Sequence, residues 1–99
     1  MRTVTSRISL TVIGKPDCHL CDVAHDIVER VVADLPDHVA DRVDITELSI
    51  LDDPALYELW WEKIPVVLID EDLHAHWRVS SEGLRGAILT ASDRAEVRS

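Results

Sequence analysis

The chain has only two cysteines, and both sit in one short unit, Cys18-His19-Leu20-Cys21. Their surroundings restrict the fold more than any other feature. Upstream, residues 7–13 alternate, with Ile8, Leu10 and Val12 on one side, which reads as a strand. Gly14-Lys15-Pro16-Asp17 then breaks the pattern. Downstream, Leu20, Val23, Ala24, Ile27, Val28, Val31 and Leu35 recur at helical spacing and form one apolar stripe. Asp17 is the expected N-cap of that helix, and Pro36-Asp37 its stop. A C-x-x-C at a strand-to-helix junction in a βαβ pattern is a redox signal. A disulfide-stapled secreted scaffold would need more cysteines, spread along the chain.

The remaining pattern completes an α/β sheet. Residues 39–45 read as a second strand, and Asp41, Arg42 and Asp44 interrupt it in the way expected of a sheet edge. Asp52-Asp53-Pro54 is a strong helix start, with an acidic cap and proline at the first helical position, for a short helix to about Trp61. Residues 64–69 are the most apolar stretch, which predicts a central strand buried on both faces. Asp70-Glu71-Asp72 is a turn into a fourth strand over 73–79. Ser80-Ser81 opens a last helix to about Thr90, and residues 91–99 are expected to fray. The order is β-α-β-α-β-β-α, giving one mixed four-stranded sheet flanked by helices. At 99 residues this is a single domain spanning 1–99.

Charge narrows the partners. Ten Lys and Arg stand against nineteen Asp and Glu, for a net charge of −9. Nucleic acid and anionic lipid need a basic patch, so neither is an expected partner. The longest unbroken apolar run, Val66-Val67-Leu68-Ile69, is far short of the roughly 20 residues a spanning helix needs. Met1-Arg2-Thr3-Val4 does not begin an apolar leader. The chain is expected to be cytoplasmic, soluble and monomeric.

The thiols differ in position. Cys18 lies where unpaired backbone N–H groups and the helix dipole favour negative charge, so its thiol pKa is expected below the free value of about 8.5. Lys15 upstream and a protonated His19 beside it would add to the effect. Cys21, one turn on, lies at the edge of the apolar stripe and within disulfide reach. Cys18 is therefore the expected nucleophile and Cys21 the resolving thiol. Two other uses of the pair stay open. Cys18, Cys21 and His25 share one helix flank, and with His19, His74 or His76 they would offer ligands to zinc or an iron–sulfur cluster. An inert pair would make the protein a non-catalytic adaptor.

Ile64-Pro65 opens the most buried strand, where a proline without its N–H belongs at the strand start or in a special bond. With both features in place, Thr11-Val12-Ile13-Gly14-Lys15-Pro16-Asp17-Cys18-His19-Leu20-Cys21, Asp52-Asp53-Pro54 and Lys63-Ile64-Pro65-Val66-Val67-Leu68-Ile69-Asp70 resemble the glutaredoxin-like branch of the thioredoxin superfamily. Element order agrees over residues 6–90. The resemblance implies a thioredoxin-like fold and dithiol exchange with a disulfide-bearing protein or a low-molecular-weight thiol. It implies a cis Pro65 against the cysteine pair and an Ile64 backbone left to pair with substrate. Lys15 matches a lysine that many glutaredoxins carry before the nucleophile.

The departures are specific. His19-Leu20 replaces the usual Pro-Tyr. The stretch His74-Ala75-His76-Trp77-Arg78-Val79-Ser80-Ser81-Glu82 lacks the Gly-Gly turn that holds the γ-glutamyl end of glutathione. Glutathione-coupled activity is therefore expected to be weak, and no cofactor or metal is expected. Trp60, Trp61 and Trp77 read as core or rim packing, His74 and His76 as a half-exposed sheet face. His25 reads as a surface residue. Asp17 and Asp44 are candidate proton relays with nothing to select either. Gly83 and Gly86 lie inside the last helix and form no phosphate loop.

Overall fold

The computed structural model describes residues 7–98, with side chains described over 7–94. Four strands, β1 (Ile8–Gly14), β2 (Val43–Ser49), β3 (Val66–Ile69) and β4 (Asp72–His76), form one mixed sheet in the order β2-β1-β3-β4. β1 runs parallel to β2 from Ile8↔Val43 to Gly14↔Ser49 and antiparallel to β3, with Ile13 opposite Val66. β3 and β4 form the antiparallel hairpin. The helices are α1 (His19–Asp34), α2 (Asp37–Ala40), α3 (Pro54–Trp60) and α4 (Ser81–Arg98).

Both sheet faces are covered, unequally. Ile8, Leu10, Val12, Val67 and Ile69 pack with Val28, Val31 and Leu35 from the α1 stripe and its end, with Val39, and with Leu84 and Ile88 from α4. On the other face Ile13, Ile50 and Val66 meet Leu56, Trp60, Ile64 and Leu68. Val66, Val67 and Ile69 are buried, as a central strand requires.

Several boundaries differ from those read in the sequence. The N-cap of α1 is Cys18, not Asp17; its Sγ accepts from the Cys21 N–H at 3.2 Å. Asp17 instead takes the left-handed conformation, φ 58°, and turns the chain into the helix. The second strand occupies Val43–Ser49 rather than 39–45, because residues 37–40 form α2. Val39 and Val43 are one helical turn apart, and both pack on the same core cluster. β2 is an edge strand, and its five central residues are exposed.

β4 stops at His76 rather than Val79, since Trp77 has φ 64° and turns the chain out of the sheet. The hairpin loop is Asp70-Glu71, with φ 51° and 72°; two positive values suit the right-handed twist of the flanking strands. Asp70 is held there by bonds in both directions: Ser9 N–H donates to its Oδ1 at 2.9 Å, and its own N–H donates to the Ser9 carbonyl at 2.8 Å. The last helix does not fray at Ala91 but runs to Arg98. Ser92 is buried, and its Oγ accepts from Arg42 Nη1 at 3.0 Å. Ser99, the end of the expected tail, lies outside the described residues.

Candidate functional site

Strand direction gathers the sequence's candidates at one end of the sheet. β1 and β2 are parallel, so Gly14 and Ser49 finish together. β3 is antiparallel to both and starts at that end, just after Ile64-Pro65, and β4 returns to it, with His76 opposite Val66. Continuing the Ile13↔Val66 register by one residue sets Gly14 across from Pro65. Pro65 is buried, Ile64 is half-buried, and the peptide between them is cis.

Cys18 and Cys21 are joined by a disulfide with a Cα–Cα separation of 5.2 Å, inside the usual range of about 4.4–6.8 Å. Cys18 is half-buried, whereas Cys21 is 1% exposed. The inequality follows from α1: Cys21 begins its buried row and Cys18 precedes its first turn.

Gly14 is what permits Cys21 to lie so close to β1. A Cβ built at residue 14 would stand 2.8 Å from Cys21 Sγ and 3.1 Å from its Cβ. The sequence reading takes Gly14 only as a strand breaker. The available signal was a glycine at the end of a buried strand, a place where another group often approaches the backbone closely. The Gly14 carbonyl accepts from Ile50 N–H at 2.9 Å, which ties the β2–α3 connection to the same point.

Trp77 has a role that its spacing does not reveal. Its backbone N–H donates to the carbonyls of Pro65 at 2.9 Å and Lys63 at 3.2 Å. Its indole Nε1–H donates to the Glu62 carbonyl at 2.7 Å. Trp77 thus fastens the segment leading into β3 while the residue as a whole stays 55% exposed. His76 meets that ring edge-on at 4.8 Å. Tyr57 and Trp61 stack with centroids 6.1 Å apart, and Trp60 packs inward with Ile13 and Val66.

The remaining candidates separate. Lys15 and His19 are exposed, and among the described residues neither side chain makes a hydrogen bond or ion pair. His25 Nδ1 stands 3.5 Å from Glu47 Oε2 on β2. Asp44 belongs to the far end of the sheet, opposite Ser9, where Arg7 Nε donates to its Oδ2 at 3.0 Å. That hydrogen bond and the guanidinium charge hold the Asp44 carboxyl below its usual range. Asp44 is therefore no relay for the cysteines. His74 is half-buried, and burial pushes its imidazole below the usual range. Among the described residues no group of three or more His, Cys, Asp or Glu side chains is placed to hold a metal ion.

The sequence matches the Glutaredoxin-like domain (DUF836) over residues 9–89. The chain belongs to this glutaredoxin-like family. A comparison with curated proteins gave no match. Solved structures share the fold of this glutaredoxin-like chain. A protein from Nitrosomonas europaea aligns with a TM-score of 0.66 at 19% identity, covering 88% of this chain and 96% of its own. One from X. campestris gives 0.64 at 25% identity, covering 82% and 96%. A mutant thioredoxin from Halobacterium salinarum gives 0.64 at 12%, covering 88% and 76%. The fold is thioredoxin-like, and the family together with the Cys18–Cys21 pair supports a redox-type function. No helix among the described residues is long and apolar enough to cross a membrane.

Proposed function

We propose that this protein is a thiol–disulfide oxidoreductase in which Cys18 attacks and Cys21 resolves. The observation that carries the reading is the unequal burial of two cysteines that close a disulfide at a helix N-terminus. In the reduced protein, the Cys18 thiolate attacks a substrate disulfide R–S–S–R′. A Cys18–S–S–R bond forms and R′S⁻ leaves. Cys21, as thiolate, then attacks Cys18 Sγ, the bond to R breaks, and RS⁻ departs. Two electrons have passed to the substrate, and the Cys18–Cys21 disulfide remains for an external thiol to reduce. Sulfur at the N-cap favours the first step, since the Cys21 N–H that donates to Cys18 Sγ would stabilise a thiolate there. Ile64 and Pro65, at the same sheet end, are the backbone that receives the substrate segment.

The substrate class that fits is a disulfide-bearing protein, in the cytoplasm. Leu20, Leu51, Tyr57, Trp61 and Trp77 are exposed apolar side chains on the elements and connections of this end. Glutathione is a weaker fit. The first turn of α4 is capped internally: Ser80 Oγ accepts from Gly83 N–H at 3.1 Å, and the Ser80 carbonyl from Leu84 N–H at 2.9 Å. Fewer backbone donors are then left for a γ-glutamyl carboxylate, and an unpaired polar group costs about 1–3 kcal/mol.

The test is variant-resolved exchange. Cys18→Ser should abolish reduction of a disulfide substrate. Cys21→Ser should accumulate a covalent mixed disulfide, visible as an added mass on Cys18. Undiminished turnover by Cys18→Ser, or faster alkylation of Cys21 than of Cys18 in the reduced protein at mildly acidic pH, would reject the assignment.

A further inference from the structure

The resolving step needs a proton acceptor, and the structure offers one. Cys21 is 1% exposed in the disulfide, with little access to bulk water, and only a thiolate is a nucleophile. On α1, His25 follows Cys21 by four residues, a spacing that sets Cβ atoms about 5–6 Å apart on one helix face. His25 is the half-buried member of that face, with its side chain 29% exposed. Glu47 stands opposite Val12 in the β1–β2 register, and Val12 packs with Val28 of α1, so Glu47 belongs to the sheet face under this helix. Its Oε2 lies 3.5 Å from His25 Nδ1. An imidazole one helical turn from the buried sulfur thus meets a carboxylate from the edge strand.

We propose that His25, oriented by Glu47, accepts the Cys21 proton during resolution and returns it when the pair is reduced. This rests on Cys21 being the resolving thiol. With Nδ1 turned to Glu47, Nε2 takes the proton. The sulfur electron pair then attacks Cys18 Sγ, the Cys18–Cys21 bond forms, and the bond from Cys18 to the substrate sulfur breaks. The departing thiolate takes up a proton from solvent, and His25 later reprotonates Cys21 or releases its proton. The mixed disulfide is the only oxidant required. The charged groups about His25 are carboxylates: Asp22, Asp26 and Glu29 on its own helix and Glu47 from β2. The β1 residues on this face, Ile8, Leu10 and Val12, carry no charge. The α4 cation that reaches α1, Arg85, bonds the Asp34 carbonyl at 3.3 Å, at the other end of the helix.

The experiment uses the whole reduced protein with dithiobis(nitrobenzoate), an aromatic disulfide whose thiolate is coloured. One equivalent is released when Cys18 attacks, a second when Cys21 resolves, so one trace separates the steps. In His25→Gln the second phase should slow by roughly tenfold or more near neutral pH, while the first changes by less than about twofold. The deficit should shrink above about pH 9, where a thiol ionises unaided. Glu47→Gln should slow the second phase in the same direction and by less. Asp26→Asn, one residue along, should leave both phases as in the wild type. Added imidazole should restore part of the second phase in His25→Ala. A second phase in His25→Gln that matches wild type across pH 6–9, or an equal fall in both phases, overturns the assignment. A wild-type protein with no second phase would instead overturn the reading of Cys21 as the resolving thiol.

Discussion

The two faces of the sheet are built to different depths. Under α1 and α4, eleven of the described residues form one buried cluster drawn from β1, β3, both helices and the segment around Val39. The opposite cluster has three buried residues, and α3, which covers it, has none of its own. Tyr57, Leu59 and Trp61 are left in solvent there. The site straddles the two. Cys21 hangs from the deep face, pressed against Gly14, whereas Ile64 packs with the shallow cluster. The sulfur that must be placed accurately is held by the thick layer. The apolar surface left in solvent belongs to the thin one.

The largest effect should come from cutting the deep face. Ile88→Ala removes a fully buried side chain from the centre of that cluster, and large-to-small core changes of this kind cost about 2–5 kcal/mol. At roughly 4–8 °C per kcal/mol for a domain of this size, Tm should fall by about 10 °C or more. Leu56→Ala on the shallow face, where the residue is only half-buried, should cost about 1 kcal/mol. Equal losses in paired thermal melts would break the comparison of the faces.

Gly14→Ala tests the contact that joins site to core. The new Cβ would fall 2.8 Å from Cys21 Sγ, with backbone on one side and a fixed helix on the other, so something must move. Overpacking of this sort costs about 1–3 kcal/mol. The variant should also be reduced more readily by dithiothreitol than the wild type, because the displaced sulfur belongs to the disulfide. An unchanged melt and an unchanged reduction equilibrium would show that α1 shifts freely on β1.

What the sequence made legible was local or strongly periodic. The α1 stripe, the acidic-proline start of α3 and the apolar run of β3 each satisfy one rule within a few residues, and each forms, although Leu20 and Val23 at the head of the stripe are exposed and β3 begins at Val66 rather than Ile64. Apart from the α1 cap, which falls at Cys18, one residue beyond Asp17, the misreadings depend on partners distant along the chain. Residues 39 and 40 read as the start of a strand because Val39 and Val43 fit an alternation as well as a helical turn, whereas the structure closes a helix over Asp37–Ala40 and packs both valines on one core. The last eight residues of α4 have little apolar period of their own, and Ser92 is buried against Arg42, fifty positions away in sequence. The cysteines were recognisable from spacing. Gly14, Trp77 and the His25–Glu47 pair were not, because their roles come from register between elements.

A smaller effect belongs to the cap of α3. Asp53 Oδ1 accepts from Ala55 N–H at 2.9 Å. A helix with no buried residue leans on its cap and on Pro54 more than on packing. Asp53→Ala should cost about 1 kcal/mol, seen in chemical denaturation. The rate of Cys18 alkylation should stay unchanged, since α1 is anchored on the other face. A slowed Cys18 would mean that the two faces are mechanically coupled through the site.

The smallest expected effect is a slope with pH, and it concerns β4, which contributes to neither buried cluster. Burial holds the His74 imidazole below its usual value of 6.5 in the folded chain. In the unfolded chain that value is regained, so between the two the unfolded state binds more protons. Stability then rises with pH across this window, is complete above about 6.5, and is lost progressively as pH falls toward the folded value. Asp44 also sits below its usual range, but its window lies lower, near the carboxylate values, so the two do not overlap. His74→Gln should therefore flatten the dependence of the urea midpoint between about pH 5 and 7 while leaving the acid limb below it intact. If the variant keeps the wild-type slope in that window, burial at the β4 edge is too loose to disfavour the charged imidazole. The shallow part of the molecule would then extend from α3 around to this edge as well.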